Sequence, residues 1–199
     1  MKKQLSTIKQ QGFTLIELLV VIGILGILAA ALIATIDPFE QLKKADDAKI
    51  KNMTVEFQTA LVRYYTTHGA LPWNDPNNSA NTNCDALGGT AGGEVDFAAP
   101  LQLGGTGAMI DCLQSTTGGN SLISEGELKA SFVSVPADLN KIYVNWAAGD
   151  AANATVCFSP TSKSQKSSAE TKYDSGGTLL ADRSICPTAA DGTCFWCTK

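Results

Sequence analysis

Histidine is almost missing from this chain of 199 residues; His68 is the only one. It falls at the end of a predicted helix, where a partly positive ring suits the helix terminus, so a capping role outweighs a catalytic or metal-binding one. There is no nucleophile elbow, no phosphate-binding glycine loop and no carboxylate pair with a general base beside it. Gly88-Gly89, Gly92-Gly93 and Gly104-Gly105 read as loop composition. No enzymatic activity, metal or cofactor is therefore expected. Positive charge is also scarce, with 15 Lys and Arg against 19 Asp and Glu and a formal net charge of −4. That balance argues against general nucleic-acid binding through phosphates, which needs a basic face, while leaving a local patch open.

Charge is scarcest between Phe13 and Ile36, where Glu17 is the only charged residue in a run of Leu, Ile, Val, Ala and Gly. At about 1.5 Å per residue a helix of this length crosses a hydrocarbon layer of about 30 Å. Lys2, Lys3 and Lys9 precede the run without any acid, and Asp37 and Glu40 follow it. This asymmetry predicts a single span with a cytoplasmic N-terminus and the remainder outside. Ala29-Ala30-Ala31 offers a cleavage site behind the run, but the apolar core exceeds the ~7–15 residues of a secretory signal. Gly12-Phe13, a small residue at the end of the basic leader, points instead to cleavage in front of it. Glu17 is costly inside a membrane; it is either wetted at the interface or functional. Gly23 and Gly26 lie three apart, so the four-residue small-residue packing motif is absent.

The hexapeptide Gly12-Phe13-Thr14-Leu15-Ile16-Glu17 behind a short basic leader resembles the processing site of type IV pilins and of the related type II secretion pseudopilins. The resemblance implies that a prepilin peptidase cuts after Gly12, that the new N-terminal residue Phe13 is N-methylated, and that Glu17 acts in subunit assembly. Elementary electrostatics agrees. Cleavage would free an amine at Phe13, and a carboxylate from a neighbouring subunit would neutralise it among apolar helices, where either charge alone costs several kcal/mol. Removing the leader also removes Lys2, Lys3 and Lys9 and moves the formal charge from −4 to −7.

Beyond the run, Asp37-Pro38 either kinks the helix or begins a new one with Asp37 as its cap. Phe39, Leu42, Ile50, Met53, Phe57, Leu61 and Tyr64 then recur at helical spacing and predict an amphipathic helix with one apolar stripe. Glu40–Lys44 and Asp47–Lys51 are favourably ordered i,i+4 pairs. His68-Gly69 ends the helix, and Leu71-Pro72-Trp73 forbids its continuation. Tyr65…Gly69…Leu71-Pro72 and Gly126-x-Leu128…Pro136…Asp138 resemble the central part of pilins, with extra residues between Leu128 and Pro136.

From Asn74 to Gly107 the composition predicts a long exposed connection, in a region that is the variable surface of the pilin family. Ser121–Ala130 reads as a short helix. Lys141–Trp146 and Ala154–Phe158 read as a hairpin, Ser159–Gly177 as a loop, and Cys194–Cys197 as a last strand. All six cysteines (Cys84, Cys112, Cys157, Cys186, Cys194 and Cys197) lie beyond the apolar run and favour disulfides. The expected pairing joins Cys84 to Cys112 and leaves the other four to pair among themselves. A redox role for Cys194-x-x-Cys197 lacks the following helix it needs. A zinc site of Cys186, Cys194 and Cys197 with Cys157 or His68 lacks paired C-x-x-C spacing. Sequons stand at Asn52, Asn77 and Asn153.

These readings predict an α+β fold, with a long N-terminal helical spine on a small antiparallel sheet and a disulfide-stapled C-terminal region. The expected divisions are a leader at 1–12, a membrane and filament-core helix at 13–36, its amphipathic continuation at 37–68 and a globular head at 69–199. The resemblance implies a structural subunit of a type IV pilus, held in the cytoplasmic membrane and then displayed on the cell surface. Its implied partners are copies of itself, the prepilin peptidase, the assembly machinery and membrane lipid. A pseudopilin of a secretion or competence system is the nearest alternative. A membrane-anchored thiol or zinc enzyme is the alternative of another class.

Overall fold

The computed structural model describes residues 12–35, 37–78, 84, 87, 99–104, 108–114, 120–146 and 154–198. The chain divides into two compact units, residues 1–39 and 40–199. Helix α1 (Leu15–Thr35) belongs to the first. From Gly12 to Ile33 every residue is exposed, so this apolar helix has no core of its own to face.

Helix α2 (Pro38–His68) opens with proline at its first position, and the Asp37 carboxylate accepts the Phe39 amide at 3.1 Å. Of the two readings of Asp37-Pro38, a new capped helix is the one formed, because proline's missing N–H and preset φ suit a helix start. Ile50, Met53, Phe57, Leu61 and Tyr64 are buried as the periodicity predicts. Phe39 and Leu42, expected in the same stripe, are exposed; Leu42 is 67% exposed and lies about 200° round the helix from Glu40, which bonds to the head. Asp47 does not pair with Lys51 as predicted. It is buried in the stripe, and Lys51 pairs with Glu170 instead. Gly69 ends the helix at φ +72°, its amide donating to the Tyr65 carbonyl at 2.8 Å. This left-handed cap is inexpensive only for glycine. Trp73 then turns inward and meets Trp146 edge to face at 6.4 Å.

Four antiparallel strands form one sheet in the order β1 (Leu101–Gln102), β2 (Ile142–Asn145), β3 (Thr155–Phe158), β4 (Trp196–Thr198). The predicted hairpin is β2–β3, with Ile142 opposite Phe158 and Val144 opposite Val156. Strand β1 lies inside the stretch read as a structureless connection. Its two residues are too few to show alternation, and it exists by pairing Leu101 with Val144. Alternation along β2 and β3 sends Ile142, Val144, Val156 and Phe158 into the core shared with α2. Tyr143, Asn145 and Cys157 take the opposite face, which the segment from Lys172 to Phe195 covers. The Asn145 amide donates to Gly176 O at 3.0 Å, and Tyr143 meets Phe195 edge to face at 5.3 Å. Gly177 sits there at φ +78°, and a Cβ on it would come within 2.4 Å of the Thr155 methyl.

The predicted helix over Ser121–Ala130 is instead a run of turns. Ser121 and Ser124 exchange side-chain and backbone hydrogen bonds, and Gly126 adopts φ +74°. Both features offer the backbone an alternative to the helix. Leu122 and Leu128 are buried nonetheless. Among the described residues the head also carries short α-helices α3 (Ala108–Gln114), α4 (Pro136–Leu139) and α5 (Lys163–Lys166), and 3-10 turns at Pro76–Asn78 and Ala130–Ser134. Helix α5 lies inside the stretch read as a loop, where Ser162 caps it. Disulfides join Cys84 to Cys112, Cys157 to Cys197 and Cys186 to Cys194.

Candidate functional site

Gly12, Phe13 and Glu17 gather at the start of α1. A Cβ on Gly12 would meet nothing within 4 Å, and Phe13 is 83% exposed. The Glu17 carboxylate turns back on the chain. Its Oε2 accepts the Thr14 amide at 2.9 Å and the Thr14 hydroxyl at 2.7 Å, while the Glu17 amide donates to Thr14 Oγ1 at 3.3 Å. Thr14-x-x-Glu17 is therefore a capping box that satisfies two orphan donors of the helix reciprocally. The sequence carried this signal, a threonine three residues before a glutamate, and the reading of Glu17 as an assembly group passed over it. Both bonds use Oε2. Among the described residues Oε1 accepts no hydrogen bond, so one carboxylate oxygen remains open to a further donor.

From this cap the 19-residue stretch Leu15–Ile33 is long and apolar enough to cross a membrane. Glu17 apart, its side chains are apolar all round the helix and none is buried, so the exposed surface calls for lipid or for other apolar helices.

The remaining sequence-predicted groups are structural. Cys194 and Cys197 do not bond to each other; each closes a separate disulfide, and Cys157 faces Cys197 directly across β3 and β4. No group of three or more His, Cys, Asp or Glu among the described residues is arranged to hold a metal. The His68 ring stacks on Tyr64 at 4.0 Å, with Nδ1 3.2 Å from the Tyr64 carbonyl and Nε2 3.3 Å from the Asn120 amide nitrogen. The Tyr64 hydroxyl in turn donates to buried Asp75 at 2.7 Å.

Sequence reasoning also missed how α2 holds the C-terminal region. The Asp47 carboxylate, 4% exposed, accepts the amides and hydroxyls of both Thr161 and Ser162 at 2.6–3.2 Å. Two turns earlier Glu40 accepts the Lys163 amide at 2.5 Å. Lys51 meets Glu170 at 3.2 Å and lies over the Trp196 ring at 4.6 Å. The Trp196 indole N–H, then Lys51, hold the Glu170 carboxyl below the usual carboxylate range. Lys49 pairs with Asp138, which raises the lysine above its usual range.

The family model for the prokaryotic N-terminal methylation motif matches residues 8–33. The type IV major pilin protein PilE1 of Neisseria gonorrhoeae is 35% identical over 79 residues, 40% of this chain and 36% of that protein. A fimbrial protein of Neisseria meningitidis serogroup B is 33% identical over 79 residues, 40% of this chain and 45% of that protein. The chain thus spans less than half the length of these relatives. No solved structure matches.

Proposed function

We propose that this chain, whose N-terminal methylation motif and similarity to Neisseria pilins support the reading, is a type IV pilin: a structural subunit that polymerises into a surface filament. The observation that carries the reading is α1 itself, apolar on every side, exposed from Leu15 to Ile33, and led by the one carboxylate of Glu17. Residues 1–12 are the leader, 13–36 the membrane and filament-core helix, 37–68 the separately capped amphipathic helix that follows it and 69–199 the head. The prepilin peptidase cuts between Gly12 and Phe13, and Phe13 becomes N-methylated. Before assembly the helix rests in the cytoplasmic membrane with its N-terminus on the cytoplasmic side. Assembly machinery then moves it into the filament, where lipid contacts are exchanged for contacts with other copies. Glu17 Oε1 accepts the Phe13 amine of a neighbouring copy while Oε2 keeps the Thr14 cap. A copy shifted along the axis would leave both charges unmatched, so the pair selects one register. The filament serves adhesion, motility or DNA uptake.

Mass spectrometry of native protein tests the processing. The expected chain begins with N-methylated Phe13 and carries no free thiol; a chain that keeps Met1 to Gly12 and stays monomeric in the bilayer overturns the proposal. Glu17→Ala tests the assembly role, with filaments lost and the membrane-held monomer retained. Normal filaments from that variant would remove Glu17 from the mechanism.

A further inference from the structure

Most charged side chains of α2 that face the head are matched within the chain: Asp46 with Lys141, Lys49 with Asp138, Lys51 with Glu170 and Arg63 with Glu127. Glu56 has no such partner, and neither do Lys129, Asp182 or Arg183; among the described residues none of these four is in an ion pair. Their placement is unequal. Exposed Glu56 and Lys129 line a pocket of about 280 Å³ whose apolar members are Met53, Phe132 and Val135. The pocket opens beside α2 and is too small to take a helix.

Asp182 and Arg183 lie elsewhere on the head, in the turn that presents Ile185. This isoleucine is 45% exposed, and it carries Asp182 and Arg183 beside it in the chain. The turn is held firmly. Cys186, the next residue, bonds to Cys194, and its amide donates to Arg183 O at 3.1 Å. The Thr188 amide donates to Ile185 O at 3.2 Å, and Arg183 Nη1 donates to Ala169 O at 3.0 Å. Ser184, bonded to the Asp182 carboxylate, holds that carboxyl below its usual range and keeps it charged. A knob held this way loses little freedom when it docks.

We propose that the knob and the pocket are the two halves of one contact between copies: Ile185 of one copy seats against Met53, Phe132 and Val135 of the next, with Arg183 opposite Glu56 and Asp182 opposite Lys129. The charges select Ile185 over Leu179, the other exposed aliphatic residue of this region, because Leu179 is flanked by Thr178 and Leu180 and brings no charge to the rim. Knob and pocket use different surfaces, so the contact is heterologous. Every copy that engages one neighbour keeps one half free for another, and the contact propagates instead of closing as a dimer. This inference rests on the filament reading above and names the head surfaces that such a filament would bring together.

Native filaments treated with a water-soluble carbodiimide provide the test. The reagent joins an amine to a touching carboxylate as an amide with loss of water. The expected result is covalent multimers on a denaturing gel and, after digestion, a peptide pair linked through Lys129 and Asp182. Filaments built from a mixture of light and ¹⁵N-labelled subunits should give that pair with mixed labels. Glu56→Arg is expected to lower the yield roughly tenfold, and Glu56→Arg with Arg183→Glu to restore it, since the reversed pair is again complementary. Arg183→Glu alone, in the knob, should lower it too. Filaments that form but lack the Lys129–Asp182 link, or in which Glu56→Arg leaves the yield unchanged, overturn this contact and leave the pilus-subunit reading standing. A processed native protein that forms no filament at all removes both.

Discussion

Asp47 shows what one residue contributes here. Its carboxylate gathers two amides and two hydroxyls from Thr161 and Ser162 at a site closed to water. Asp47→Ala strands those donors, and burying unpaired donors is the expensive side of hydrogen bonding. We expect a loss of about 3 kcal/mol, read as a lower urea midpoint by tryptophan fluorescence. Glu56→Ala, on the exposed face of the same helix, should stay within about 0.5 kcal/mol. Glu170 gives a pH dependence of definite sign. Trp196 and Lys51 favour its charged form, so its native pKa lies below the unfolded one. The contribution is therefore present above the ordinary glutamate value of about 4.3 and lost as pH falls through the lower native value. Wild type should melt above Glu170→Gln at neutral pH, and the two melting curves should merge in strong acid. A gap that stayed constant from neutral pH down to about pH 2 would assign the difference to packing.

At the scale of elements, the disulfides act unequally. Cys157–Cys197 ties β3 to β4 across 40 positions, whereas Cys186–Cys194 closes a loop of 8. On chain-entropy grounds the longer bridge contributes roughly 4 kcal/mol and the shorter roughly 2.5. Replacing Cys157 and Cys197 together by alanine should thus lower the thermal midpoint more than replacing Cys186 and Cys194. The first change should also loosen the Lys172–Phe195 cover on the sheet, which hydrogen exchange at Tyr173 and Phe195 would report. Elements with a strong period were legible: Ile50 to Tyr64 announced the buried face of α2, and the β-branched runs announced β2 and β3. The Ser121–Ala130 turns and two-residue β1 were not, since serine side chains, Gly126 and a neighbouring strand decided them. In the site, the motif at Gly12 to Glu17 was readable from residue types alone, while the anchor of Asp47 on Thr161 and Ser162 spans 115 positions and has no local signature.

Considered whole, the molecule joins two units that want different solvents. Residues 40–199 hold the buried core and all three disulfides, and residues 1–39 hold the exposed apolar helix. A chain beginning at Glu40 has its own core and should fold alone as a soluble monomer with no free thiol. Size-exclusion chromatography and thiol counting would check this, and the longer chain should need detergent. What the amino-acid order determined by itself is the part governed by neighbours along the chain: an all-round apolar helix, its basic approach, its Thr14–Glu17 cap and the proline start of α2. Those depend on residues three or four apart, and no distant contact is required. The pairing of the last four cysteines, the β1 edge, the Asp47 anchor, and the placement of Ile185 and of the Met53, Phe132 and Val135 pocket were decided only when the chain closed on itself. Each depends on groups far apart in sequence, whose meeting is a property of the packed core and not of any single stretch.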